Sequence, residues 1–99
     1  MYILHVTYEV KEGKCEAFLK ELAALGVAEK SLAEDGCVDY TYYLPVAGGN
    51  TLFLSEVWES REAQAAHTKT AHFQALAGIK DLYVEKTAIV RFDKAVLSD

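Results

Sequence analysis

A single proline, Pro45, and two cysteines, Cys15 and Cys37, leave this 99-residue chain without a proline-rich linker or a disulfide framework. The cysteine spacing matches no metal motif, so both are expected as buried or half-buried thiols. No apolar run approaches the roughly 20 residues that cross a bilayer. The opening Met1-Tyr2-Ile3-Leu4-His5-Val6 carries neither the basic region nor the cleavage site of a secretory signal. Ten Lys and Arg are scattered among fifteen Asp and Glu, giving a net charge of −5. With no basic cluster to neutralise phosphates, a nucleic-acid partner is not expected. Glycine-rich phosphate loops, Cys/His metal spacings and a nucleophile elbow are also missing, so neither a cofactor nor a metal is expected. These absences leave a soluble cytoplasmic protein with no membrane partner as the expectation.

Apolar residues are plentiful, at 52% of the chain. A domain of this size buries only roughly two thirds of its unfolded surface. The surplus points to a pocket, a subunit interface, or both.

Local patterns divide the chain. Tyr2 to Val10 alternates Tyr2, Leu4, Val6, Tyr8 and Val10 against Ile3, His5, Thr7 and Glu9, which is a strand period. From Lys14 the apolar residues Cys15, Phe18, Leu19, Leu22, Leu25 and Gly26 recur at helical steps, predicting an amphipathic helix to about Glu34, stopped by Asp35-Gly36. Alternation returns from Cys37 to Val46, with Val38, Tyr40, Tyr42, Leu44 and Val46 on one side. Ala47-Gly48-Gly49-Asn50 makes a turn into a strand over Thr51 to Glu59, forming a hairpin. Ser60 is an N-cap for a helix from Arg61 to about Gly78, with a break near Thr68–Thr70 where Thr70 can cap a second piece. Asp81 to Phe92 reads as the last strand, and residues 93–99 as a tail.

The order β-α-β-β-α-β predicts one α+β domain over residues 1–99, with a ferredoxin-like four-stranded antiparallel sheet and the helices on one face. Phe53 and Val57 alternate with Leu52, Leu54 and Trp58, so the sheet is apolar on both faces. A second copy covering the free face predicts a homodimer.

Few polar residues fall where burial is expected. Glu56 shares a strand face with Leu52, Leu54 and Trp58. It reads either as a structural carboxylate bonded to backbone or tyrosine, or as a pocket acid or base with a raised pKa. If the even-numbered faces of the hairpin coincide, Tyr42 stands near Glu56 and Tyr40 near Trp58, although the turn leaves the register open. Trp58 is either core or an aromatic pocket wall. His67 follows Ala63 and Ala66 on the inward stripe of its helix, as a satisfied structural residue or a proton carrier. His72 lies five residues on, about 140° further round an unbroken helix, so the two are no i, i+4 metal pair. With a break at Thr70 both could converge on one pocket. His5 lies on the more polar face of the first strand, within reach of an interface.

Three ordered motifs make the sequence recognisable: Asp35-Gly36-Cys37-Val38-Asp39-Tyr40, Phe53-Leu54-Ser55-Glu56-Val57-Trp58-Glu59-Ser60 and His67-Thr68-Lys69-Thr70-Ala71-His72-Phe73. With Lys11-Glu12-Gly13-Lys14 after the first strand, the chain resembles the antibiotic biosynthesis monooxygenase (ABM) domain family over nearly its whole length. The resemblance implies a dimeric α+β barrel of ferredoxin-like subunits and a cofactor-independent monooxygenase for aromatic polyketides or quinols. There O2 reacts with an electron-rich substrate that the protein binds and deprotonates. Glu56, Trp58, His67 and His72 match recurrent motif residues, which implies proton transfer by His67 and a pocket wall at Trp58. Ala71 departs from the proline often found before the second histidine. His67 stands where the haem-degrading branch usually has tryptophan, which counts against haem cleavage.

Three functions are open at this level. The first is a cofactor-free oxidoreductase for a quinol or polyphenol, with Glu56, His67 and His72 as catalytic candidates and Trp58, Tyr40, Tyr42 and His5 as substrate-binding ones. The second, from another branch of the family, is an isomerase degrading a small phosphorylated signal of the autoinducer-2 type. It needs a basic pocket residue, for which Lys20, Lys69, Lys86 and Arg91 are available. The third is a non-catalytic ligand-binding or stress-response module.

Overall fold

The computed structural model describes residues 1–98. Its elements are β1 (Tyr2–Val10), α1 (Cys15–Leu25), α2 (Val27–Leu32), β2 (Cys37–Tyr43), β3 (Thr51–Trp58), α3 (Arg61–His67), α4 (Ala71–Tyr83) and β4 (Val84–Phe92). The strands form one antiparallel sheet in the order β2-β3-β1-β4. This is the expected ferredoxin-like arrangement, with two connections each built from a pair of helices.

The alternation in β1 decides the layering. Tyr2, Leu4, Val6, Tyr8 and Val10 are buried and join Leu52, Leu54 and Trp58 of β3 in one core with Phe18, Leu22, Val27 and Leu76 from the helices. The odd residues of β1 face the opposite side, which no helix covers among the described residues. There His5 sits between Phe53 and Phe92, with ring centroids 5.2 and 5.0 Å away. Tyr43, Val90 and Phe92 are exposed on the same face. No helix of the described residues is long and apolar enough to cross a membrane.

Four local expectations are corrected. The helix predicted to run unbroken to Glu34 is divided at Gly26, which adopts the left-handed conformation with φ 66°. Its N–H caps α1 on Ala23 while its carbonyl starts α2 through Lys30. An L side chain resists that conformation, so glycine lets the chain turn there. Gly78 does not end the last helix. It lies inside α4 with an ordinary helical backbone, so β4 begins at Val84 rather than Asp81. β2 ends at Tyr43, leaving Leu44 and Val46 exposed beyond it. Finally, β2 has a register shift between Cys37 and Asp39, which breaks the predicted alternation and exposes Val38.

The tail residues 93–95 run beside the start of β1. Met1 and Ala95 exchange two backbone hydrogen bonds of 2.8 Å, and Asp93 accepts one of 2.7 Å from Arg61. Of the tail assigned to 93–99, Asp99 lies outside the described residues.

Candidate active site

Glu56 is buried on the helix side of β3, at 5% exposure. Its Oε1 accepts the indole N–H of Trp58, two residues along the same face, at 3.0 Å. Burial pushes the Glu56 carboxyl up to about 7, against the Trp58 hydrogen bond, which favours the charged form. The Glu34 charge raises it further and Arg91 lowers it. The even-numbered faces of the hairpin do coincide, but the register is not the one expected. Tyr40 stands opposite Glu56, Tyr42 opposite Leu54, and Cys37 opposite Trp58. The bulge at Val38 accounts for Cys37, rather than an even-numbered residue, taking the place beside Trp58.

Glu56 borders a cavity of about 150 Å³ between the sheet and the last two helices. Leu4, Val6 and Tyr8 of β1 form its floor, Phe73, Leu76 and Ala77 its helical wall, and Thr87, Ile89 and Arg91 of β4 its outer side. Gln64, Thr68 and Lys80 add polar groups from the helices. The cavity is therefore largely apolar, with one near-neutral carboxyl and two cations. Neither Lys80 nor Arg91 has an ion-pair partner among the described residues. Lys80 instead lies 5.9 Å from the centre of the Tyr8 ring.

His67 takes a different position. It ends α3 and is only 2% exposed. Its ring lies 4.8 Å from Trp58, 5.2 Å from Phe73 and 5.6 Å from Tyr40. Burial lowers its pKa, opposed by the carboxylate of Glu34. The expected break follows at once. Thr70 donates its hydroxyl to the His67 carbonyl and accepts the Phe73 N–H, capping α4. This turn brings His72 round to the same side as His67. Glu34 Oε2 meets His67 Nδ1 at 2.5 Å and His72 Nε2 at 2.8 Å.

Of the catalytic and substrate-binding candidates singled out in the sequence, only Glu56 lines the cavity itself. Trp58 connects Glu56 to His67 behind the wall. The Tyr40 ring sits between Tyr42 and His67, 5.8 and 5.6 Å from them. The Tyr42 hydroxyl is buried, and its side chain borders a separate cleft beside α1 and α2. His5 is on the opposite sheet face. Among the basic residues considered, only Arg91 reaches the cavity, while Lys20 pairs with Glu16 on the surface at 3.4 Å.

Sequence reasoning did not find Glu34, Gln64 or Lys80. Glu34 falls at the end of the helical pattern, where nothing local distinguishes it from a surface charge. Gly36 was its available signal. With φ 82°, that residue would place any Cβ 2.7 Å from Ala63 Cβ, so the loop carrying Glu34 presses against α3. Lys80 sits on α4, whose orientation depends on the break at Thr70, and Gln64 on the short α3 before it.

The sequence profile of the antibiotic biosynthesis monooxygenases matches residues 1–78. Among solved structures, a candidate antibiotic biosynthesis monooxygenase from Nitrosomonas europaea is 26% identical, with a TM-score of 0.87 over 97% of this chain and 100% of that one. A conserved protein of Bacteroides thetaiotaomicron, with a suggested oxidoreductase role, is 30% identical over 92% of this chain and 94% of its own, with a TM-score of 0.80. Protein PA3566 of Pseudomonas aeruginosa, at 24% identity and a TM-score of 0.84 over 96% and 94%, shares the fold. No curated protein matches at comparable significance. Matched over most of its length, and with the fold to go with it, the chain belongs to the antibiotic biosynthesis monooxygenase family.

Proposed function

We propose that the protein is a cofactor-independent monooxygenase for a small quinol or polyphenol, with Glu56 as the proton acceptor. The observation that carries this reading is a carboxyl with a pKa of about 7 bordering an apolar cavity. A general base works best when its pKa lies near the working pH. Unperturbed carboxylates are too weak for a phenol, so burial makes Glu56 more basic without a second catalyst.

The cavity volume supports a flat ring as occupant, since an apolar cavity of roughly 150 Å³ accepts benzene. A fused second ring would have to pass beyond this volume, past Ile89 and Arg91 on the β4 side. Lys80 and Arg91 line the same cavity as Glu56, and their charges would stabilise a phenolate as it forms. Removal of the phenolic proton by Glu56 yields an electron-rich carbanion equivalent. O2 takes one electron from it. The resulting superoxide and substrate radical combine into a peroxide anion at a ring carbon that bears hydrogen, and the proton held by Glu56 converts this into a hydroperoxide. Loss of water then leaves a carbonyl, so that one oxygen atom enters the product and the other leaves as water. Trp58 positions Glu56, while His67 and His72 support Trp58 and α4 from behind the wall. Tyr40 belongs to the same supporting group, and Tyr42 and His5 serve the neighbouring cleft and the opposite face. The uncovered apolar face around Phe53, Val90 and Phe92 fits a second copy of the chain, giving a homodimer.

Oxygen uptake with menadiol-type and anthrone-type substrates tests this reading. Uptake is expected in the wild type and a large loss in Glu56→Gln. No uptake across a quinol panel overturns it. The two unpaired cations also favour a second reading, isomerisation of a small phosphorylated signal molecule. Turnover of such a compound without oxygen, abolished in Lys80→Ala and Arg91→Ala, would establish that alternative.

A further inference from the structure

We infer that Glu34, His67 and His72 form a binding site for a divalent transition-metal ion of the zinc type. The three side chains come from separate elements, namely the loop after α2, the end of α3 and the first turn of α4. Their nearest ligand atoms all lie within 4.8 Å of one another. Two imidazole nitrogens aimed at one carboxylate oxygen make the donor set that borderline-soft divalent ions prefer. Zinc bonds of roughly 2.0–2.2 Å place ligand atoms about 3.3 Å apart in a tetrahedron. The hydrogen-bond distances of 2.5 and 2.8 Å therefore need to open by less than about 1 Å. The two imidazole nitrogens, within 4.8 Å of each other, close toward the same separation by turning about their side-chain bonds.

Protonation states permit the exchange. In the hydrogen-bonded form each histidine donates to Glu34 through the nitrogen facing it. For metal binding that proton moves to the opposite ring nitrogen, leaving His67 Nδ1 and His72 Nε2 as lone-pair donors. Glu34 supplies the negative charge. Three protein ligands leave a fourth position for water. His67 is sealed inside, whereas Glu34 and His72 are partly accessible, so the ion reaches the site from their side. The bound ion ties the α2–β2 loop to the α3–α4 break and stabilises the folded chain in proportion to its concentration.

The test uses the whole protein after chelator treatment, titrated with Zn2+ by calorimetry and with Co2+ by visible absorption. One ion per chain is expected, with a d–d band characteristic of four- or five-coordinate Co2+ and a rise in Tm. In the wild type, side-chain 15N signals of His67 and His72 should move to metal-bound positions while that of His5 stays. Glu34→Gln and His72→Gln should each weaken binding at least about tenfold. Unmoved histidine signals, or no binding in a slight molar excess of zinc, overturn the proposal and leave a hydrogen-bonded clamp. Binding that persists in both variants and vanishes in a Cys15→Ser/Cys37→Ser protein overturns it as well.

Discussion

The Trp58 indole donates its N–H to Glu56 across 3.0 Å of a buried strand face, and among the described residues it is the one side chain that hydrogen-bonds this carboxylate. It holds the acid in one orientation toward the cavity while limiting how far burial can raise its pKa. Several consequences can be measured.

Replacing Glu56 with Gln keeps an acceptor for the indole but removes the base. Oxygen uptake should fall by roughly 10²–10⁴-fold. In the wild type the rate should rise with pH and level off above an apparent pKa of about 7. A profile unchanged in Glu56→Gln would assign the proton transfer elsewhere.

The same group links stability to pH. Its folded pKa of about 7 lies above the ordinary carboxylate value of 4.5, so the folded state holds the proton more tightly. The stabilisation is full below the unfolded pKa and is lost as pH rises through about 7. Denaturant titrations at pH 5 and pH 8 should differ by roughly 3 kcal/mol in the wild type on this account. The difference should shrink in Glu56→Gln.

Trp58→Phe removes the donor that favours the ionised carboxylate. The activity profile should move to higher pH, and stability should fall by about 1–3 kcal/mol from the lost bond and incomplete filling. A profile that moves to lower pH would contradict the assigned direction.

Gly36 and Gly26 both have positive φ but different neighbours. A Cβ at Gly36 would come within 2.7 Å of Ala63 Cβ, whereas one at Gly26 would meet only the flexible Lys30 side chain at 3.4 Å. Gly26→Ala should cost about 1–2 kcal/mol from conformation alone. Gly36→Ala should cost more, roughly 2–4 kcal/mol, because backbone must shift. Urea unfolding of the two variants checks the order.

Phe92 packs beside His5 at 5.0 Å on the uncovered face. Light scattering should give the wild type twice its 11.0 kDa mass, and Phe92→Glu the mass of one chain. A monomeric wild type at micromolar concentration would remove the dimer.

Much of this architecture is legible in local pattern. The strict alternation of Tyr2 to Val10 marks β1 and its buried face, and Ser60 and Thr70 mark the starts of α3 and α4 by the hydrogen bonds they accept. Glu56 stands out because a carboxylate occupies an otherwise apolar strand face. These signals need only neighbours within a few residues. The register of the hairpin does not, since one bulged residue at Val38 changes which side chain faces Trp58.

By itself, then, the sequence determined the element order, the inward face of the sheet and the presence of a buried acid, because period and capping are short-range properties of the chain. Only the tertiary structure decided what that acid does not share with the histidines. Glu56 meets the cavity, whereas His67 and His72, 33 and 38 positions beyond Glu34, converge on that carboxylate instead. Partners so distant in sequence are chosen by how the Gly36 loop and the Thr70 break place whole helices against the sheet, and no local pattern contains that information.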